Sequence, residues 1–172
     1  VTVALGGDGG DELFAGYAPF RALHASQIYC TMLPTRLRKF ILSQVNRLPA
    51  SEGYLSIDFK LKRTLQGLDY PQSVWNPMWL SPLKPDEISE LMNMPVEWDE
   101  VYADAINAWQ SSEADDLVGK SIEFYGRFYL QDGVLTKVDR ASMMVSLEVR
   151  APFLDNNVVE YAQRLPSNLK YR

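Results

Sequence analysis

Four glycines and three acidic residues crowd into seven positions, Gly6-Gly7-Asp8-Gly9-Gly10-Asp11-Glu12, directly after the mostly apolar run Val1-Thr2-Val3-Ala4-Leu5. A short apolar, β-branched run by itself fits either a buried strand or a piece of helix. The glycines decide for a strand that enters a tight turn. Beyond the turn, Leu13, Phe14, Tyr17, Phe20 and Leu23 recur at helical spacing, so a helix is expected from Asp11 to about Leu23, with Pro19 able to kink it. Asp11 and Glu12 then fall in its first turn, where the peptide dipoles favour anions.

A strand, a glycine turn and a helix start leave backbone N–H groups free to cradle phosphate oxygens. Glycine lets a ligand approach the backbone closely. Yet Asp8, Asp11 and Glu12 would repel a bare phosphate. Carboxylate beside phosphate becomes favourable when a divalent cation bridges them, and Mg²⁺ is commonly held by one or two carboxylates plus substrate phosphates. The turn therefore points to a magnesium–nucleotide. It is not a P-loop, because no Gly-Lys-Ser/Thr follows, and it lacks the glycine spacing of a dinucleotide fingerprint. It also lacks the ligand spacing of an EF-hand. A plain strand-to-helix turn with capping aspartates fits the same residues, and this stretch alone leaves the two readings open.

Composition narrows the chemistry. With 17 basic and 22 acidic residues the net charge is −5, which disfavours nucleic acid as a partner. No apolar run approaches the ~20 residues of a membrane span. No basic leader followed by an apolar segment opens the chain, so a cytoplasmic location is expected. One cysteine, Cys30, excludes an internal disulfide framework and a multi-cysteine metal site. One histidine, His24, excludes any device that needs two. Acids, bases and cationic clamps must then be Asp, Glu, Lys and Arg. The 172 residues suffice for about one domain with a real core. Val1 opens straight onto the strand and 169–172 carry no closing signal, so the chain reads as a piece of a longer protein.

The rest reads as mostly helical. Helices are expected from Pro34 to about Leu48, over 54–68, 73–80, 85–92, 98–109, 115–130 and 136–147, and over 156–165 after a break at Pro152. Pro71, Pro77, Pro82, Pro85 and Pro95 predict an irregular segment over 50–98 that wraps the helices. One clear strand among so many helices makes sense if the other strands of a parallel sheet lie upstream. Trp75, Trp79, Trp98 and Trp109 suit packing, and so do Met143 and Met144. Cys30 suits a small buried position and His24 a packing or surface role. Asp99, Glu100, Glu113, Asp115 and Asp116 suit a solvated acidic face.

A second dense stretch covers 130–155. Lys137 and Arg140 are three apart and share a helix face. Glu148, Arg150 and Asp155 fit an ion-pair network at helix ends, while for Lys137 a clamp on a polyanion competes with that reading.

Residues 6–17, and later Leu135-Thr136-Lys137-Val138-Asp139-Arg140-Ala141-Ser142-Met143 running on to Pro152-Phe153-Leu154-Asp155, together resemble the synthetase domain of glutamine-dependent asparagine synthetases. Lys62-Arg63-Thr64-Leu65-Gln66-Gly67-Leu68 and the Trp/Pro-rich stretch after it look like the same family, so the resemblance covers essentially residues 1–172. It looks closest to the bacterial branch associated with exopolysaccharide gene sets. The resemblance implies an α/β, mostly helical part of an adenine-nucleotide α-hydrolase-like (ATP pyrophosphatase) domain that lacks its N-terminal strands. The implied reaction uses ATP and Mg²⁺ to adenylate an aspartate-like carboxylate. Pyrophosphate leaves, and ammonia from an N-terminal glutaminase domain then displaces AMP. Electrostatic stabilisation of the leaving group would carry most of the rate.

Carried over residue by residue, the resemblance makes Asp11 a Mg²⁺ ligand and Asp8 the acid that faces substrate and adenylate. Gly7, Gly9 and Gly10 shape the cofactor-binding loop, Asp132 aligns with a carboxylate partner of Asp8, and Lys137 is a phosphate contact. Gly6 stands where the family usually has Ser, and Ala15 replaces a common Gly, a change expected to be tolerated within a helix. The Ser-Gly-Gly-x-Asp-Ser pyrophosphate loop and the glutaminase cysteine are absent from these residues, and the family's catalytic Lys would fall past Arg172. The piece alone is therefore expected to be inactive. A β-lactam synthetase-like reaction is disfavoured because that branch carries Tyr where Asp8 stands. Amidation of another carboxylate and a non-catalytic scaffold remain the alternatives, and a homo-oligomer is compatible with each.

Overall fold

The computed structural model describes residues 1–47 and 56–171. In chain order the first elements are β1 (Val3–Leu5), α1 (Gly10–Leu13), α2 (Ala18–Met32), α3 (Thr35–Asn46), α4 (Ile57–Gly67), α5 (Gln72–Leu80) and α6 (Pro85–Met92). Then come α7 (Trp98–Val101), α8 (Ala103–Ser111), α9 (Leu117–Phe124), a π-helical segment (Tyr125–Leu135) and α10 (Thr136–Met143). β2 (Glu148–Arg150), a 3-10 turn (Pro152–Leu154), α11 (Asn156–Arg164) and α12 (Ser167–Lys170) close the chain. The described residues thus form a mostly helical α/β structure with a small parallel sheet. They divide into two compact units, Val1–Arg21 with Ser112–Arg172, and Ala22–Ser111.

The first unit is organised by a parallel pairing of distant segments, Val3 with Glu148, Ala4 with Val149 and Leu5 with Arg150. Two bonds extend the ladder: Glu148 N–H donates to the Thr2 carbonyl at 2.9 Å and Gly6 N–H to the Arg150 carbonyl at 2.8 Å. β2 corrects the sequence reading, which saw only a break in helicity around 149–153. Glu148-Val149-Arg150 offers one apolar residue between two charges, too little alternation to signal a strand until β1 pairs with it.

Helix endings bring further corrections. The helix expected to run from Asp11 to Leu23 is split between α1 and α2. Ala15 takes φ 55°, and Gly16 N–H bonds back to the Asp11 carbonyl at 2.8 Å. A left-handed residue followed by this back-bond is a Schellman ending. Ala15 therefore lies past the end of a helix, not within one. The same device closes α10 four residues short of expectation, with Ser146 left-handed (φ 56°) and Leu147 N–H on the Ser142 carbonyl at 3.1 Å. It closes α6 at Asn93 (φ 52°), with Met94 N–H on the Ser89 carbonyl at 3.2 Å. Asn adopts this conformation readily, whereas Ala and Ser carry no such preference.

Between α9 and α10 the chain keeps turning as a π-helix, where an interruption had been expected after Leu130. Asp116 caps the start of α9 by accepting from Gly119 N–H at 2.6 Å. The wider winding carries Tyr125, Tyr129 and Leu130. Tyr125 is fully enclosed, its ring centroid 5.1 Å from that of Phe20 and 5.2 Å from that of Tyr17, and these rings with Tyr129 and Phe124 make an aromatic core.

The second unit is helical, although its proline content predicted irregularity. Pro85 starts α6 as a first-turn residue, where no N–H is needed, and Pro71 immediately precedes α5. Among the described residues of this unit, only Pro77 interrupts a helix interior, in α5. Val74, Met78 and Tyr102 form the core, with Tyr70, Trp98 and Ile106 packed on it. Trp75 and Trp79 stack at 5.9 Å and donate to the carbonyls of Tyr70 and Thr64, so both indoles pack as expected. Leu48, Tyr54 and Leu55, at the expected ends of two helices, lie outside the described residues.

One substitution follows from the α1 ending. A left-handed Ala costs ~1–2 kcal/mol, while its buried methyl returns about 0.8 kcal/mol. Ala15→Gly should therefore raise stability by about 0.5–1 kcal/mol, seen as a higher urea midpoint at unchanged slope. A lower midpoint would contradict the strained ending.

Candidate active site

β1 delivers residues 6–9 to the end of the sheet, and Gly10 N–H closes the turn onto the Gly7 carbonyl at 3.2 Å. Gly9 is required twice over. Its φ of 91° disfavours any side chain, and a Cβ there would run into Leu154, 2.9 Å from Cγ. The N–H groups of Gly7, Asp8 and Gly9 donate to no described residue. They have the character of an anion cradle.

Asp8 is half-buried and looks into a cavity of about 190 Å³. Leu135, Val138, Asp139, Ser142 and Met143 form one wall, and Glu148, Val149 and Ala151 another. Leu135, Val138, Asp139 and Ser142 follow i, i+3, i+4, i+7 spacing, so one helical face supplies them. Asp139 and Ser142 line the cavity, although the sequence placed Asp139 only in a run of alternating charges and gave Ser142 no role. That spacing was the signal, and the charge of Lys137 drew attention to the neighbouring face instead.

The other expected residues lie outside this lining. Lys137 and Arg140 are exposed on α10, and Asp132 is exposed on the π-helical segment. Asp11 is exposed in α1, its carboxylate against Gly16. The structure thus brings Asp8 together with Asp139 and Glu148, and leaves Asp11, Asp132 and Lys137 off the cavity wall. Among the described residues no three His, Cys, Asp or Glu side chains converge as a metal cage. A magnesium ion that arrives with phosphate oxygens needs only one or two protein carboxylates. Asp11 fits that requirement, since it is accessible and forms no ion pair among the described residues.

Glu12 is 3% exposed, a carboxylate inside the first unit. Tyr17 Oη donates to Glu12 Oε1 at 2.5 Å, tying the first turn of α1 to the aromatic core. Burial, and then the bond to Glu12, push the Tyr17 hydroxyl far above its ordinary value of 10.0. Burial also raises Tyr125.

Elsewhere the expected ion-pair network reduces to Arg150 Nε on Glu148 Oε1 at 2.7 Å, both exposed. Asp155 instead caps α11 by accepting from Asn157 N–H at 2.9 Å. His24 is exposed, and so are the acidic residues Asp99, Glu100, Glu113, Asp115 and Asp116. Met143, the last residue of α10, and Met144 just after it are exposed where packing was expected, while α10 packs mainly on β2 and the π-helical segment. Cys30 is half-buried, its Sγ accepting from Arg38 Nη1 at 2.9 Å. No helix among the described residues is long and apolar enough to cross a membrane.

The chain belongs to the asparagine synthase family, whose model it matches over residues 1–172. It is 28% identical over 170 residues to asparagine synthetase [glutamine-hydrolyzing] 1 of Bacillus subtilis, covering 99% of this chain and 26% of that protein. It is 29% identical over 170 residues to a putative asparagine synthetase [glutamine-hydrolyzing] of Mycobacterium tuberculosis, covering 99% of this chain and 25% of that protein. To putative asparagine synthetase [glutamine-hydrolyzing] 2 of Methanocaldococcus jannaschii it is 24% identical over 162 residues, 89% of this chain and 28% of that protein. The chain thus spans about a quarter of the length of these curated relatives. No solved structure matches it.

The tyrosine shifts set a pH response. Both hydroxyls keep their protons in the folded chain above pH 10.0, where unfolded tyrosines lose theirs. The unfolded state then binds fewer protons, so stability is fully present below pH 10 and falls as pH rises beyond it. Tyr17→Phe should flatten that alkaline loss in urea titrations between about pH 9 and 11. An unchanged slope would show that Tyr17 ionises freely in the folded state.

Proposed function

We propose that the full-length protein is an ATP-dependent amide-forming ligase, and that residues 1–172 are part of its synthetase domain, with an adenine-nucleotide α-hydrolase-like fold. The observation that carries this reading is the family match over the whole chain, joined to a glycine turn that sets Asp8 on a cavity and leaves Asp11 accessible to solvent. ATP and the side-chain carboxylate of aspartate, or of a similar acid, are the substrates. A carboxylate oxygen attacks the α-phosphorus and the bond to pyrophosphate breaks, its electron pair leaving with pyrophosphate. Ammonia, released from glutamine in an N-terminal glutaminase domain, then attacks the acyl carbon, and AMP departs with the C–O electron pair. Glutamate, asparagine, AMP and pyrophosphate are the products.

Within this reading the free N–H groups of Gly7, Asp8 and Gly9, with Gly10 shaping the turn, receive phosphate oxygens. Asp11 holds Mg²⁺, which when bound neutralises phosphate charge. Asp8 faces the reacting carboxyl end of the substrate, on the cavity it shares with Asp139 and Glu148, while the roles that the resemblance gives Asp132 and Lys137 find no support in their exposed positions off that wall. The same reading makes the protein a cytoplasmic enzyme, and its acidic balance disfavours nucleic acid as a partner.

The test is pyrophosphate release by the full-length protein with ATP, Mg²⁺, ammonia and aspartate. Aspartate-dependent release is expected, and Asp11→Ala should lower kcat/KM by about 10²–10³-fold. Release that ignores aspartate but needs another acid would move the substrate and keep the chemistry. Absence of ATP binding would overturn the reading in favour of a scaffold.

A further inference from the structure

Gly6 has no backbone reason to be glycine: its φ lies outside the left-handed region. Its N–H is held by the Arg150 carbonyl at 2.8 Å, and Leu5 before it is in register with Arg150. A Cβ on this fixed backbone would stand 2.8 Å from Asp8 Oδ2 and 3.3 Å from Val149 Cγ1. The first distance is below any ordinary carbon–oxygen contact. The ladder holds the backbone in place and Val149 belongs to β2, so the group free to yield is the end of the Asp8 side chain. The space at position 6 is therefore occupied by a carboxylate, and that carboxylate lines the cavity.

We propose that Gly6 is a positioning residue: by having no side chain it lets the Asp8 carboxylate lie back over the end of β1, and so determines which carboxylic acid the cavity accepts. Any side chain at 6, a serine included, turns the carboxylate away from the strand end. The cavity wall shared with Asp139, Glu148 and Val149 then changes in shape and in the placement of charge. The effect is steric and local. The obstructed atom is the tip of a rotatable side chain, so a Gly6 variant folds. The substrate consequence rests on the proposed ligase function, whereas the placement of Asp8 does not.

The experiment has two arms on the full-length protein. Crystal structures of the wild type and of Gly6→Ala should show the Asp8 carboxylate turned to a different rotamer with the β1–β2 ladder intact. An unmoved carboxylate overturns the proposal whatever the protein catalyses. In parallel, a double-mutant cycle of Gly6→Ala and Asp8→Ala is followed by pyrophosphate release with aspartate. Gly6→Ala should raise KM for aspartate about tenfold with a smaller change in KM for ATP, and should add nothing in the Asp8→Ala background. Equal effects of Gly6→Ala with and without the Asp8 carboxylate would overturn the proposal, because Gly6 would then act by another route. A protein that releases no pyrophosphate, yet turns Asp8 in the Gly6→Ala crystal, would remove the ligase reading and leave the positioning role in place.

Discussion

A three-residue parallel ladder holds together segments that lie more than 140 residues apart in the sequence, and the candidate site exists only because of it. Parallel strands cannot be joined by a hairpin, so everything between β1 and β2 serves as their crossover. The ladder fixes Gly6 through the Arg150 carbonyl, and that bond places the turn carrying Asp8 beside the face of α10 carrying Asp139 and Ser142. A two-stranded pair is weak alone. Here α10 packs on β2 and on the π-helical segment, so helix packing supports the strands that in turn aim the site.

The turn is held from its other side by burial. Glu12, one residue past Asp11, is withdrawn from solvent and bonded to Tyr17, which stacks in the aromatic core with Tyr125. A buried carboxylate with a close partner fixes a helix start far more firmly than an exposed one, because an alternative orientation would leave its charge unpaired in an apolar setting. Adjacent acids thus divide in role by environment: Glu12 anchors, and Asp11 stays accessible.

Much of this was legible in the residues. The glycine turn after an apolar run announced a strand, a turn and a helix start, and helix periodicity located α3, α4, α6 and α11 to within a few residues. Three features were not legible, each for a physical reason. β2 is a strand by pairing and not by composition. Ala15 and Ser146 end helices in a conformation that only Gly or Asn advertises. The π-helical winding at Tyr125–Leu135 leaves no periodic mark that distinguishes it from α-helix ends around a loop. At the site, Lys137 stood out by charge, while Asp139 and Ser142 shared a helical face with Leu135 and Val138 that the sequence already contained.

The sequence by itself determined the chemistry available: carboxylates, cations and a glycine turn, with one cysteine and one histidine, and the family to which these residues belong. Those follow from residue identity and spacing, which need no knowledge of distant contacts. Only the tertiary structure decided which carboxylates meet. Asp8 joins Asp139 and Glu148 around one cavity while Asp11, Asp132 and Lys137 stay off its wall, because a ladder between the two far-separated strands and the rotation of one helix face set those distances. It also decided why position 6 is empty of a side chain. Steric exclusion depends on where Asp8 and Val149 come to rest, and no local pattern encodes that.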